Sequence, residues 1–162
     1  MTRSPGTAPQ SALQRIMQRW LPPPTQEYNG SMIAFYFLVI VAAVGTGRSL
    51  MHIFAADGGA NSIAGLAVDV EGGTNLIAIF AQWGASQIIL AIFYWLAILR
   101  YRFLTPFMLS VVVLEQLLRM GAGQLKPVVV ASAPPGAIGN YILLPLGLIA
   151  LFLSLRGHSK AA

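Results

Sequence analysis

The chain has 162 residues, of which 56% are hydrophobic and only 9% are charged, and its mean hydropathy is +0.70. A soluble domain carries roughly 25% charged residues, so this composition excludes an ordinary water-soluble globular protein and predicts an integral membrane protein. Lys and Arg number 10 against 5 Asp and Glu, a net charge of +5, and the lack of cysteine excludes disulfides, thiolate metal sites and Cys nucleophiles.

Residues 1–29 form a polar N-terminal tail that contains one amphipathic pattern. Between Ser11 and Leu21, apolar residues recur at helical spacing opposite Arg15 and Arg19, and Trp20 ends the apolar face. This pattern is typical of a short helix at the membrane interface, and Arg15, Arg19 and Trp20 would contact lipid headgroups there. The alternative is a helix that packs on a neighbouring subunit.

Four apolar segments follow, and each approaches the roughly 20 residues needed to cross a bilayer. They predict an all-α fold, an integral membrane four-helix bundle over residues 30–156, followed by a short cytoplasmic tail at 157–162. The segment at 57–74 is glycine-rich and too short to cross, so it either lies on the surface or folds back into the bundle. The four predicted spans are 30–54, 75–99, 103–125 and 138–155.

Basic residues indicate the orientation of these spans. With four crossings, the N-terminal tail, the connection between the second and third spans, and the C-terminal tail share one side of the membrane. The positive-inside rule therefore predicts that both termini are cytoplasmic, and the basic segments are better explained by topology and anionic lipid than by nucleic acid. The shared side carries Arg3, Arg15, Arg19, Arg100, Arg102, Arg156 and Lys160, and the opposite loops carry Asp57, Asp69, Glu71 and Lys126.

One acidic residue lies within a predicted span. About twelve residues separate Glu115 from the start of the third span, too few to cross about 30 Å at 1.5 Å per residue, so its carboxylate lies inside the membrane. Arg119 follows at i+4 on the same helix face, and an ion pair between the two is the simplest way to neutralise it.

A second interpretation places this pair in a larger polar cluster. Counting from the span midpoints, several polar residues fall at similar depths, and an intramembrane polar cluster is a candidate functional site. If the first span instead covers 28–47, Arg48 becomes an interfacial residue that reaches outward. The candidate ligand-binding residues are Arg48, Gln82, Gln87, Glu115 and Arg119.

Other residues favour structural roles. Tyr94 and Trp95 close the second span and are predicted interfacial anchors, and Ala43 with Gly47 gives a close-packing surface on the first span. Pro145 predicts a kink in the fourth span. Two histidines, His52 and His158, match no metal-ligand spacing, and we expect no metal site.

A family resemblance rests on short motifs. Gly47-Arg48-Ser49-Leu50 ends the first span, a glycine-rich loop follows, and the third span ends in Leu117-Leu118-Arg119-Met120-Gly121 before Pro127. In these motifs, and in architecture over residues 31–155, the chain resembles the small four-helix bacterial membrane proteins of the DoxX-like families. The resemblance implies a bacterial inner-membrane protein, and some members are associated with quinone-linked oxidation or with assembly of membrane complexes. It transfers no catalytic residue.

These observations leave three functional hypotheses. The first is a non-catalytic accessory or scaffold subunit that contacts other membrane subunits or further copies of itself. The second is a binding protein for a small amphiphile, a quinone or a lipid, with the polar cluster as its site. The third is an oligomeric proton or solute transporter in which Glu115 titrates. No catalytic constellation or resident cofactor is predicted.

Overall fold

The structure is a computed structural model that describes residues 21, 23–129 and 135–156, with side chains from 139 onward in the last helix. An isolated β-bridge between Thr25 and Tyr101 is the only β pairing in these ranges, so the predicted all-α class with four main helices is confirmed for them. The predicted N-terminal helix, with Arg15, Arg19 and Trp20, lies outside the described residues. The helices are α1 (Met32–Phe54), α2 (Gly73–Arg100), α3 (Thr105–Leu125) and α4 (Pro135–Leu155), with a 3₁₀ turn (Arg102–Leu104) before α3.

Three of these segments are long and apolar enough to cross a membrane. They are α1 with 23 residues, α2 with 28, and the 3₁₀ turn with α3, which together span 24 residues. The fourth helix offers a shorter apolar stretch, Gly139–Leu155. All four bounds lie within a few residues of those predicted from hydropathy.

Local sequence explains where two helices begin. The Ser31 hydroxyl accepts a hydrogen bond from the backbone N–H of Ile33 at 3.2 Å and caps α1. Before α2, Gly72 has a φ of 81°, which favours glycine. A Cβ on Gly73 would lie 1.8 Å from the carbonyl oxygen of Val68, so a side chain at this position would clash with the loop.

The helices pack around one apolar core. The most extensive helix contact joins α1 to α2, α3 packs on α4, and α1 also contacts α4. On α1, α2 and α3 the core side chains recur at three- to four-residue spacing, which is the period of one buried helix face, and α4 contributes Ala150. The core residues are Ala34, Phe35, Leu38, Ala42, Tyr94, Ala97, Ile98, Met108, Leu109, Val112 and Ala150.

The close approach between α1 and α2 depends on Gly84. A Cβ there would lie 2.8 Å from the Cβ of His52 and 2.9 Å from the backbone oxygen of Ser49. The small residues predicted to form the α1 surface, Ala43 and Gly47, are exposed instead, because the buried face of α1 passes through Ala42 and Ser49. The sequence contains several small residues on each helix, and only the helix rotation selects among them.

The segment before α1 is fastened to one end of the bundle. The Thr25 N–H donates to the carbonyl of Arg100 at 3.1 Å, and the Arg102 N–H donates to the Thr25 carbonyl at 3.2 Å. The Tyr28 hydroxyl hydrogen-bonds the Ser154 hydroxyl at 2.7 Å. Burial raises the pKa of Tyr28, and the hydrogen bond to Ser154 opposes that shift.

The bundle therefore has two chemically different ends. We call the end that carries Arg100, Arg102 and Arg156 the basic end. The opposite end, which carries the loop 55–72, is the loop end. The loop folds back on the helices, since Ile63 reaches the wall of the cavity described below, and this agrees with one of the two placements predicted for it.

Candidate functional site

A cavity of about 550 Å³ lies among the four helices. Helices α1 and α4 contribute most of its apolar surface, α2 and α3 contribute most of its polar groups, and Ile63 of the loop completes the wall. Its lining residues are Phe37, Ile40, Val41, Val44, Gly45, Arg48, Ile63, Gln87, Ala91, Tyr94, Glu115, Gln116, Gly139, Asn140, Ile142, Leu143 and Leu146.

We place the mouth of the cavity between α1 and α4. At the basic end these helices are joined, because the Ser31 N–H donates to the Leu153 carbonyl at 3.4 Å and Tyr28 bonds to Ser154. Closer to the loop end, apolar side chains of both helices line the cavity and still remain 45–66% exposed. These mouth residues are Ile40, Val44, Ile142 and Leu146.

The polar part of the cavity lining includes atoms without protein partners. Tyr94 is 4% exposed and Gln116 is 3% exposed. Within the described part of the chain, the Tyr94 hydroxyl and Gln116 Oε1 are buried and form no hydrogen bond, as is also true of Arg48 Nε. Buried polar atoms are normally hydrogen-bonded, so these three groups are available to the polar atoms of a ligand or to water.

Two arginines and one glutamate form the charged part of the site. Arg119 Nη2 donates to Glu115 Oε1, and the pair follows the predicted i,i+4 spacing. The guanidinium carbons of Arg48 and Arg119 lie 5.2 Å and 5.1 Å from the centre of the Trp83 ring, within cation–π range. One indole therefore connects the cationic side chains of α1 and α3.

The structure brings some of the predicted site residues together and leaves one apart. Arg48, Gln87 and Glu115 line the cavity, and Arg119 reaches the cluster through Glu115 and Trp83. Gln82 is exposed and does not line the cavity. Gln82 lies on a different face of α2 from Gln87. Its predicted depth in the membrane, similar to that of Arg48 and Arg119, was therefore not enough to place it at the site.

Two predicted interfacial anchors engage the protein interior. Tyr94 is buried in the cavity wall, and Trp95 Nε1 donates to Thr46 Oγ1 at 3.0 Å. An anchor at the membrane surface would project away from the bundle. The signal that could have identified Tyr94 is its spacing from Gln87 and Ala91, which places the three on one face of α2.

The loop next to the cavity uses its polar groups internally. The His52 ring hydrogen-bonds the Gly58 carbonyl through Nδ1 at 2.7 Å. The Asp57 carboxylate accepts from the backbone N–H groups of Gly59, Asn61 and Ser62, and these bonds lower the pKa of Asp57 to about 2. Among the residues that the structure describes, no group of His, Asp and Glu could hold a metal ion.

Comparison with models of known protein families, with curated proteins and with solved structures gives no match. The resemblance to the DoxX-like families therefore stays a prediction.

Proposed function

We propose that this protein is an integral membrane protein that binds a single-chain amphiphile in the cavity among its four helices, with the mouth between α1 and α4. The observation that carries this proposal is a cavity that combines exposed apolar side chains with buried polar atoms that form no hydrogen bond. An amphiphile has the same division, with an alkyl chain for the mouth and a polar head for the wall.

The outer surface of the helices supports a position inside a membrane. Ile33 is 72% exposed, Leu99 is 70% exposed and Leu118 is 64% exposed. These residues lie on three different helices, so apolar surface faces outward around much of the bundle. A soluble monomer rarely exposes contiguous apolar patches larger than a few hundred Å², whereas lipid solvates such a surface. All four helices would then cross, with the basic end and both termini on the cytoplasmic side.

The position of the mouth supports entry from the lipid. In a membrane-spanning bundle, the gap between α1 and α4 faces the hydrocarbon region, where an alkyl chain already resides. Pro145 lies in the part of α4 that borders the gap and cannot donate a hydrogen bond to the Tyr141 carbonyl. This missing bond weakens the helix there, beside Ile142 and Leu146.

The cavity volume favours a small ligand. Sites for small molecules typically span about 300–1,000 Å³ and are mostly apolar, with a few placed polar groups. A volume of about 550 Å³ suits one alkyl chain with a compact head better than a two-chain phospholipid. The scaffold and transporter hypotheses gain no comparable observation and stay predictions.

Filling the cavity tests this proposal. Gly45 lines the cavity, and a Cβ built on it meets no atom within 4 Å, so Gly45→Leu is expected to occupy the space without disturbing the bundle. We expect the variant to lose most binding of hexadecanol, measured as the excess of radiolabelled probe in nanodiscs with protein over empty nanodiscs.

Gly47→Leu is the matched control. Gly47 lies on the same helix and also has open space at its Cβ position, but it does not line the cavity. We expect this variant to bind hexadecanol as the wild type does, and both variants to remain folded. Equal binding by all three proteins, or no binding by the wild type, would contradict the proposed function.

A further inference from the structure

The charges around the cavity do not balance. Glu115 is the only acidic residue within the four helices, and its carboxylate already pairs with Arg119. Arg48 adds a second positive charge beside the same Trp83 ring. The three ionisable groups together therefore carry a charge of about +1 at neutral pH, because arginine stays protonated and the ion pair is internally neutral.

Arg48 has no acidic partner elsewhere in the chain. The described residues include every Asp and Glu of the sequence, and within them Arg48 forms no ion pair. Asp57, in the loop near the end of α1, is already bonded to three backbone N–H groups. The remaining acids, Glu27, Asp69 and Glu71, lie outside the helices.

The Trp83 ring only partly compensates for the missing anion. A cation–π contact is an attraction to an uncharged ring, whereas a charge in a membrane interior is costly unless it is paired with an opposite charge. Arg48 Nε is also buried without a hydrogen bond in the described structure. A bound anion would supply both the missing charge and the missing acceptor, since a guanidinium donates two parallel hydrogen bonds to a carboxylate.

The other polar groups of the wall leave this charge preference unchanged. Gln87, Tyr94 and Gln116 are uncharged at neutral pH and line the same cavity as Arg48. The Tyr94 hydroxyl has a proton to donate and forms no hydrogen bond within the described part of the chain, although the Glu115 carboxylate lies close enough to interact with it. These groups can bind the polar atoms of a head group without repelling a negative one, while Glu115 is neutralised by Arg119.

We infer that Arg48 selects an amphiphile whose head group carries one negative charge, with carboxylate as the simplest example. The inference rests on the proposed function, because it assigns the head group of the ligand in the same cavity. The alkyl chain would lie toward Val44 and Ile142 at the mouth, and the head would lie against the Arg48 guanidinium.

Binding of two probes with the same chain tests the inference. Hexadecanoate and hexadecanol differ in the charge of the head group, and each is measured in zwitterionic nanodiscs with empty nanodiscs subtracted. A hydrogen bond to a charged group contributes about 1.5–3 kcal/mol, so we expect the wild type to bind ionised hexadecanoate at least about tenfold more tightly than hexadecanol.

Variants of Arg48 identify the source of this preference. Arg48→Gln removes the charge and keeps a polar side chain, so we expect hexadecanoate to lose its advantage and the two probes to bind within about twofold of each other. Arg48→Lys keeps the charge and should retain most of the preference. Arg102→Gln is the control, because Arg102 contacts the Phe35 ring at the basic end and does not line the cavity.

The outcomes separate the inference from the proposed function. Equal binding of both probes by the wild type, or an unchanged preference in Arg48→Gln, would overturn the head-group inference. The amphiphile site would then stand. Absence of binding for both probes would overturn the proposed function and the inference with it.

Discussion

Replacing Glu115 alone with leucine is expected to destabilise the folded protein by about 3 kcal/mol. Removing one partner of a buried ion pair typically costs about 3–5 kcal/mol, because the other charge is left without compensation. The Arg119 and Glu115 side chains retain 19% and 21% of their exposure, which places the effect at the lower end of that range. Unfolding in mixed detergent micelles measures the difference in free energy.

The double replacement of Glu115 and Arg119 by leucine is the informative comparison. Substituting a complete buried ion pair with packed apolar residues is often neutral or stabilising, so we expect the double variant to recover most of the stability lost by Glu115→Leu. A double variant as unstable as the single one would show that the pair does more than neutralise itself. Arg48 would keep its charge in both variants.

Adding one methyl group at Gly84 is expected to destabilise the protein by about 1–3 kcal/mol. The new Cβ would meet the Ser49 backbone oxygen at 2.9 Å and the His52 Cβ at 2.8 Å, and neither atom is the flexible end of a side chain. Helices α1 and α2 would have to separate at the loop end. Thermal unfolding of Gly84→Ala measures the effect.

Gly121→Ala is the matched control for this prediction. Gly121 lies inside α3, and a Cβ there meets nothing within 4 Å. Alanine favours a helix over glycine by about 1 kcal/mol, and both variants share this gain, so the difference between them isolates the clash with α1. Equal stability of Gly84→Ala and Gly121→Ala would contradict the close contact between α1 and α2 at Gly84.

Much of the fold could be predicted from hydropathy alone. The four helices, and the Glu115–Arg119 pair, follow from apolar length and from i,i+4 spacing, and both are local properties of the chain. Glu115 and Arg119 occupy one helix, so no knowledge of helix packing was needed to bring them together.

The composition of the cavity wall could not be predicted in the same way. Depth along a span can be counted from sequence, but rotation about the helix axis depends on which small residues meet. Gly84 sets that contact for α1 and α2, and the resulting rotation turns Gln87 and Tyr94 toward the cavity and leaves Gln82 outside. Gln116, the residue that follows Glu115 and lies on an adjacent face of the helix, lines the same cavity.

The most direct measurement of the central claim locates a bound amphiphile on the protein. Hexadecanol with a photoreactive diazirine in its chain is crosslinked to the protein in nanodiscs, and the modified residues are mapped by mass spectrometry. The proposed site predicts adducts concentrated at the mouth residues Val44, Ile142 and Leu146, suppressed by excess unlabelled hexadecanol and by Gly45→Leu. Adducts spread evenly over outward-facing residues such as Ile33 and Leu118, with no competition, would contradict it.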